Sequence, residues 1–161
     1  MAGDHAPGGL TSAQERQVAV DLFNQVWELL EMQGRTPDLD DRMVHCAHAS
    51  RYHWGVVGEP LQLVVGEWQC SRVYAVLGRA EPSLHHARRS LEICDEAGIA
   101  GWPRASALEA LARAHAVAGD LNAAALAAAR ARGEAAGIDD EDDLQVFERD
   151  MASLPFDLGK G

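Results

Sequence analysis

Prolines and glycines punctuate this chain at intervals that fit helices and little else. Pro37, Pro60, Pro82 and Pro103 stand where helices can begin, because a first-turn residue needs no backbone N–H partner. Gly34, Gly55, Gly78, Gly98, Gly119 and Gly137 stand where helices can stop, since a left-handed residue closes a C-terminus without a Cβ clash. Between these marks apolar residues recur every three or four positions, the helical period. The pattern predicts helices over 12–34, 39–54, 60–77, 81–97, 103–118, 121–136 and 140–153. The apolar run "LQLVVG" is partly β-branched, but it leads directly into a helical pattern, so no strand is expected. Short connections make consecutive helices antiparallel neighbours. Residues 1–11, rich in glycine and proline, are expected to be disordered. Residues 12–154 form one domain, and 155–161 a flexible tail.

Within the first helix, Val18, Leu22, Val26 and Leu29–Leu30 make an amphipathic stripe with Phe23 and Trp27 beside it. The last helix opens on "DDEDD". Carboxylates there favour the positive end of the helix dipole, which makes the run a helix start.

Superimposing Gly78 on Gly119 brings out an internal repeat. "SRVYAVLGRAEPSLHHARRSLEICDEAGI" lies over "ARAHAVAGDLNAAALAAARARGEAAGI". Each copy has a small residue (Ser71, Ala112), a ring three later (Tyr74, His115), a glycine four after that, and a second helix ending in "AGI". Gly34 marks a third, more divergent copy. A hairpin of this size cannot bury its apolar face alone, so copies stack.

The third hairpin resembles the tetratricopeptide repeat, through Leu111, Ala112, His115, Gly119, Ala124 and Ala131. The second matches through Ser71, Tyr74, Gly78, Ser83 and Ser90, and departs at Cys70 and Glu67, with Trp68 one residue past the place of the large aromatic. The resemblance implies an all-α fold: a right-handed superhelix of about three antiparallel hairpins with a C-terminal capping helix. It also implies a concave groove lined by the first helix of each hairpin. That puts Trp68 and Arg72 on the groove side of the second hairpin, Glu109 and Arg113 at the matching places of the third, and Asn24 and Glu28 on the first. Paired arginines suit carboxylates, because guanidinium donors form a planar fork; the carboxylates are either those of a ligand or Glu67, Glu109 and Glu28 of the chain itself, in an intramolecular network. The expected function is a non-enzymatic scaffold module that takes a protein, or an acidic or C-terminal peptide, in this groove. Fold alone assigns no activity.

Charge narrows the partners. With 25 acidic against 14 basic residues the formal net charge is −11, which repels nucleic acid and anionic membranes. No apolar run is long enough to span a bilayer, and the first ten residues lack the features of a secretory leader. The three cysteines, Cys46, Cys70 and Cys94, form no CxxC. They suit a reducing, cytoplasmic setting as small core residues.

No motif for zinc hydrolysis, nucleotide binding or a serine nucleophile is present, and no cofactor is expected. The alternative to a scaffold is a small metal-binding or catalytic helical protein. His45 and His48 are about 60° apart around a helix, and with Glu67 they would make a two-histidine, one-carboxylate site. A homodimer through the first helix, using Phe23, Val26, Trp27 and Leu30, is also expected, because a helical stack leaves apolar ends.

Overall fold

A computed structural model describes residues 9–156. Among them the chain is all-helical: α1 (Ser12–Glu31), α2 (Pro37–Val57), α3 (Pro60–Val76), α4 (Ala80–Ala97), α5 (Trp102–Val117), α6 (Leu121–Ala135) and α7 (Glu141–Ala152). None of these helices is long and apolar enough to cross a membrane. Residues 1–8 and 157–161, which hold most of the two segments expected to be loose ends, lie outside the described residues. Of the remainder, Thr11 caps α1 in a capping box with Gln14, and Phe156 packs against the core.

The punctuation acts largely as predicted. Pro37, Pro60 and Pro103 occupy first-turn positions of α2, α3 and α5. Gly34, Gly78, Gly98 and Gly119 all carry φ between +66° and +81°, the left-handed region that a Cβ disfavours. Gly55 does not stop its helix, and α2 continues to Val57. The acidic run works as a helix start, with the Asp140 side chain accepting from the Asp143 N–H.

Three hairpins, α1–α2, α3–α4 and α5–α6, form the most extensive helix–helix contacts. They join through α2–α3, α4–α5 and α3–α5, and α7 closes the end against α5 and α6. The seam inside each hairpin is where the repeat becomes physical. In the second, the Ser71 hydroxyl donates to the Ser83 carbonyl and the Ser83 hydroxyl returns a bond to the Ser71 carbonyl, both at 2.9 Å. Ala112 and Ala124 hold these places in the third hairpin, Val26 and Met43 in the first, and all are fully buried. A second crossing repeats in the same way. Ser50 Oγ donates to Ala19 O and Ser90 Oγ donates to Val64 O, and the fully buried Ala105 and Ala131 occupy the matching positions of the third hairpin. In the second and third hairpins small residues let the backbones approach, and a hydroxyl is admitted where a carbonyl across the seam receives it.

These crossings correct the register of the first hairpin. Gly78 and Gly119 lie two residues beyond the last residue of α3 and α5, whereas Gly34 lies three beyond α1. Superimposing the glycines therefore displaces α1 by one position, about 100° of rotation. Phe23 and Trp27, not Asn24 and Glu28, take the inward places, and Asn24 and Glu28 are exposed. The α1 stripe is likewise used inside the chain. Val26 and Leu29 are buried with Met43, Cys46, Ala47, Cys70 and Val73, and Leu30 packs against the same cluster.

The three cysteines are free and buried. Burial pushes the Cys70 thiol up to about 12 and the Cys94 thiol to about 11, which removes nucleophilic thiolate at neutral pH. Tyr74 and His115, the rings that mark the repeat, are only half-buried.

Candidate functional site

On the face formed by the odd-numbered helices, four of the predicted residues meet. Glu109 is fully buried (0% exposed), and its carboxylate collects donors from three side chains. Arg113 Nε and Nη2 both donate to Oε1, at 2.8 and 2.6 Å. Trp68 Nε1 donates to Oε2 at 3.4 Å, and Arg72 Nη2 reaches the same oxygen at 3.5 Å. Arg72 Nη2 also pairs with Asp150 Oδ1 at 2.8 Å, and its guanidinium lies 5.4 Å from the centre of the Trp68 ring. Arg113 extends to the end of α7, donating to the carbonyls of Asp150 and Ser153 and to the Ser153 hydroxyl. Burial opposes the charge on Arg72, but Glu109 and Asp150 outweigh it and raise its pKa above the ordinary guanidinium value.

Two guanidiniums therefore face two carboxylates, and the cluster is neutral. The arginines expected to receive an anionic ligand are occupied by Glu109 and by α7, which they hold in place. A buried ion pair needs this degree of saturation, because desolvating each charge costs several kcal/mol.

Beside the cluster lies a cavity of about 190 Å³ whose walls come from all four odd-numbered helices: Trp27, Val64, Val65, Trp68, Trp102, Pro103, Ser106, Asp143, Val146 and Asp150. Trp27 and Trp68 meet at 5.6 Å between ring centres, and Phe23 meets Trp27 edge-on at 6.3 Å. Val65 and Trp102 also line an adjoining hollow of about 210 Å³ with Val20, Phe23, Trp54, Leu61 and Gln62. Val146 is 47% exposed, an apolar side chain held at the cavity's open edge. A roomier hollow of about 660 Å³ lies between α6 and α7. Its walls come from the last two helices and Phe156, without a contribution from the first two hairpins.

The opposite face holds a second polar cluster. Arg51 Nε donates to Glu67 Oε1 at 2.8 Å, and His86 Nδ1 lies 2.6 Å from Glu67 Oε2. Gly66 makes room for Arg51 to cross α3, since a Cβ there would stand 2.7 Å from Arg51 Cδ. Tyr74 stacks on His86, with 5° between the ring planes, and shares a 2.8 Å hydrogen bond with His48 Nε2. His48 also meets His86 edge-on at 5.1 Å. Burial raises the Glu67 carboxyl, but the hydrogen bond from His86 and the charge of Arg51 prevail and hold its pKa below the usual carboxylate range. Burial, and then the neighbouring His86, lower that of His48.

The trio of His45, His48 and Glu67 is not assembled. His48 bonds to Tyr74, Glu67 is committed to Arg51 and His86, and His45 is exposed beside Arg42 and Asp41 in a shallow hollow. Among the described residues no group of three histidine, cysteine or acidic side chains is placed to hold a metal ion.

Comparison with family models, curated proteins and solved structures finds no match.

Sequence reasoning missed Trp27, Trp102, Asp143, Val146, Asp150, Arg51 and His86. Trp27 was recoverable from the register of α1, because its ring sits one residue before the position assigned to the groove. Asp150 carried no such signal, since its role depends on how α7 docks.

Proposed function

We propose that this protein is a non-enzymatic binding module, and that a protein or peptide partner lies across the face of the odd-numbered helices. The supporting observation is the tryptophan-lined cavity to which α1, α3, α5 and α7 each contribute a wall. Concave sites with apolar and aromatic walls and a few polar groups are where ligands are bound, and aromatic anchors dominate binding energy at protein interfaces. We read the hairpin stack as tetratricopeptide-like. The recurrent seam positions, Val26/Met43, Ser71/Ser83 and Ala112/Ala124, support that reading, and so does the alignment of the first helices on one face.

The same geometry redirects the choice of partner. An acidic or C-terminal carboxylate would need free cations, and Arg72 and Arg113 are spent on Glu109 and Asp150. What the cavity offers is apolar surface with an acidic edge. The test is a capture experiment from native lysate using wild type and Val146→Gln. Val146 is half-exposed, so the variant keeps the fold, as an unchanged melt would show. Loss of a specific partner at unchanged stability supports the cavity as the binding site. An identical partner list removes it.

A further inference from the structure

Resting on the reading of the cavity as a ligand site, we infer that it is built for an alkylammonium group, presented as the lysine side chain of a basic partner peptide.

The charges around the cavity carry this. Its lining contains no lysine, arginine or histidine. Of its two carboxylates, Asp150 is neutralised by Arg72, while the Asp143 carboxylate has no hydrogen-bond or ion-pair partner among the described residues. The adjoining arginine–glutamate cluster adds no net charge. One carboxylate without a side-chain counter-ion therefore stands at the rim of a largely apolar, tryptophan-walled space. An anion entering would meet repulsion and find no donor fork. A neutral apolar group would gain only burial. A cation on an apolar stem satisfies both parts: its methylenes lie along Val64, Val65 and Pro103, and its charge meets indole faces and Asp143.

The wall already contains a formed example of that chemistry. The Arg72 guanidinium lies over Trp68 with an aspartate as its counter-charge, which is the arrangement an incoming ammonium would make with Trp27 or Trp102 and Asp143. Tryptophan is the best of the aromatic rings for holding a cation. Lysine fits better than arginine because its compact charge sits at the end of a flexible four-carbon stem, and a cavity of about 190 Å³ is on the scale of one such side chain. The overall charge of −11 draws a basic partner towards the molecule and speeds its encounter.

The experiment follows the indole N–H resonances of the four tryptophans in wild type and Asp143→Asn. The probes are blocked tripeptides Gly-Lys-Gly, Gly-norleucine-Gly, Gly-Arg-Gly and Gly-Glu-Gly, with n-butylammonium as a free amine. The lysine peptide is expected to shift the Trp27, Trp68 and Trp102 signals and to bind about fivefold more tightly than the norleucine peptide, the scale of one partly exposed cation–π contact. Asp143→Asn should narrow that difference and leave norleucine binding unchanged, and added salt should weaken lysine binding alone. Equal binding of lysine and norleucine, or a preference for glutamate, would overturn the inference while leaving the cavity as an apolar binding site. Preference for the arginine peptide would overturn the choice of lysine. Butylammonium binding as tightly as the lysine peptide would overturn the peptide as the source. Silence of the indole signals towards every probe would remove both the inference and the cavity reading on which it rests.

Discussion

Glu67 and Glu109 are both buried glutamates on first helices of successive hairpins, yet their surroundings differ in kind. Glu109 is fully enclosed, and its cationic donors, Arg72 and Arg113, are both guanidiniums. Glu67 keeps 7% of its surface, and one of its two donors is a histidine whose neighbours His48 and Tyr74 reach solvent. The repeat explains the contrast. The residue of the third hairpin that matches Glu67 is the buried Leu108, and the residue of the second that matches Glu109 is Trp68. One buried glutamate stands on each face, and each is met by cations from the helices around it. On the front these came from α3 and α5, and α7 was locked down in the process. On the back they came from α2 and α4. The front is a fixed-charge joint and the back a titratable one.

The contrast breaks most visibly on removing each carboxylate. Glu109→Ala leaves Arg113 buried without its charge partner, and the expected loss is about 3–5 kcal/mol. Glu67→Ala strands Arg51 and His86, but both reach solvent, so the expected loss is about 1–2 kcal/mol. Denaturant unfolding of the two variants checks this, and equal losses would show that the two clusters do not differ as described.

The seams sharpen the comparison between hairpins. Ser71→Ala removes one hydrogen bond at a buried crossing and is expected to cost about 1 kcal/mol. At the matching place in the third hairpin, Ala112→Ser gains a carbonyl acceptor from the partner helix and is expected to stay within about 0.5 kcal/mol of wild type. A loss from Ala112→Ser well beyond that of Ser71→Ala would mean that the seams are not equivalent.

The smallest effect is the pH dependence. The Glu67 pKa is lowered on folding, so its contribution is present above the unfolded value and is lost as pH falls through the folded one. The His48 pKa is also lowered, so the unfolded chain takes up the proton first and stability declines as pH drops below about 6.5. Stability measured from pH 7 towards 5 should fall in wild type, and the fall should be shallower in His48→Gln. An unchanged slope in that variant would assign the acid sensitivity to other groups.

Much of the architecture was legible because helix limits depend on local chemistry. Pro37, Pro60, Gly78 and Gly119 act within a few residues of where they stand, and the small residues of the seams recur at the repeat period. The meeting of Trp68, Arg72, Glu109 and Arg113 on one face was expected from the resemblance to the tetratricopeptide repeat. The pairing of both arginines with Glu109 was one of two readings the sequence offered, but the part played by α7 was not legible. The pairing of Arg72 with Asp150 spans the distance from α3 to α7, and only the docking of the last helix decides it. The first hairpin was misread by one residue because Gly34 follows a looser turn than its counterparts. That shift was enough to exchange Trp27 and Phe23 for the exposed Asn24 and Glu28, and to hide an aromatic wall.

The division of labour we propose for the front face, with arginines for the fold and tryptophans for the ligand, can be tested by a single measurement. Arg72→Ala is compared with wild type for its unfolding free energy and, at a temperature where both are folded, for its capture of the partner. Loss of the contacts to Asp150 and Glu109 is expected to lower stability by about 1.5–3 kcal/mol while the partner is retained. Loss of the partner at unchanged stability would contradict this account and return Arg72 to the binding of an anion.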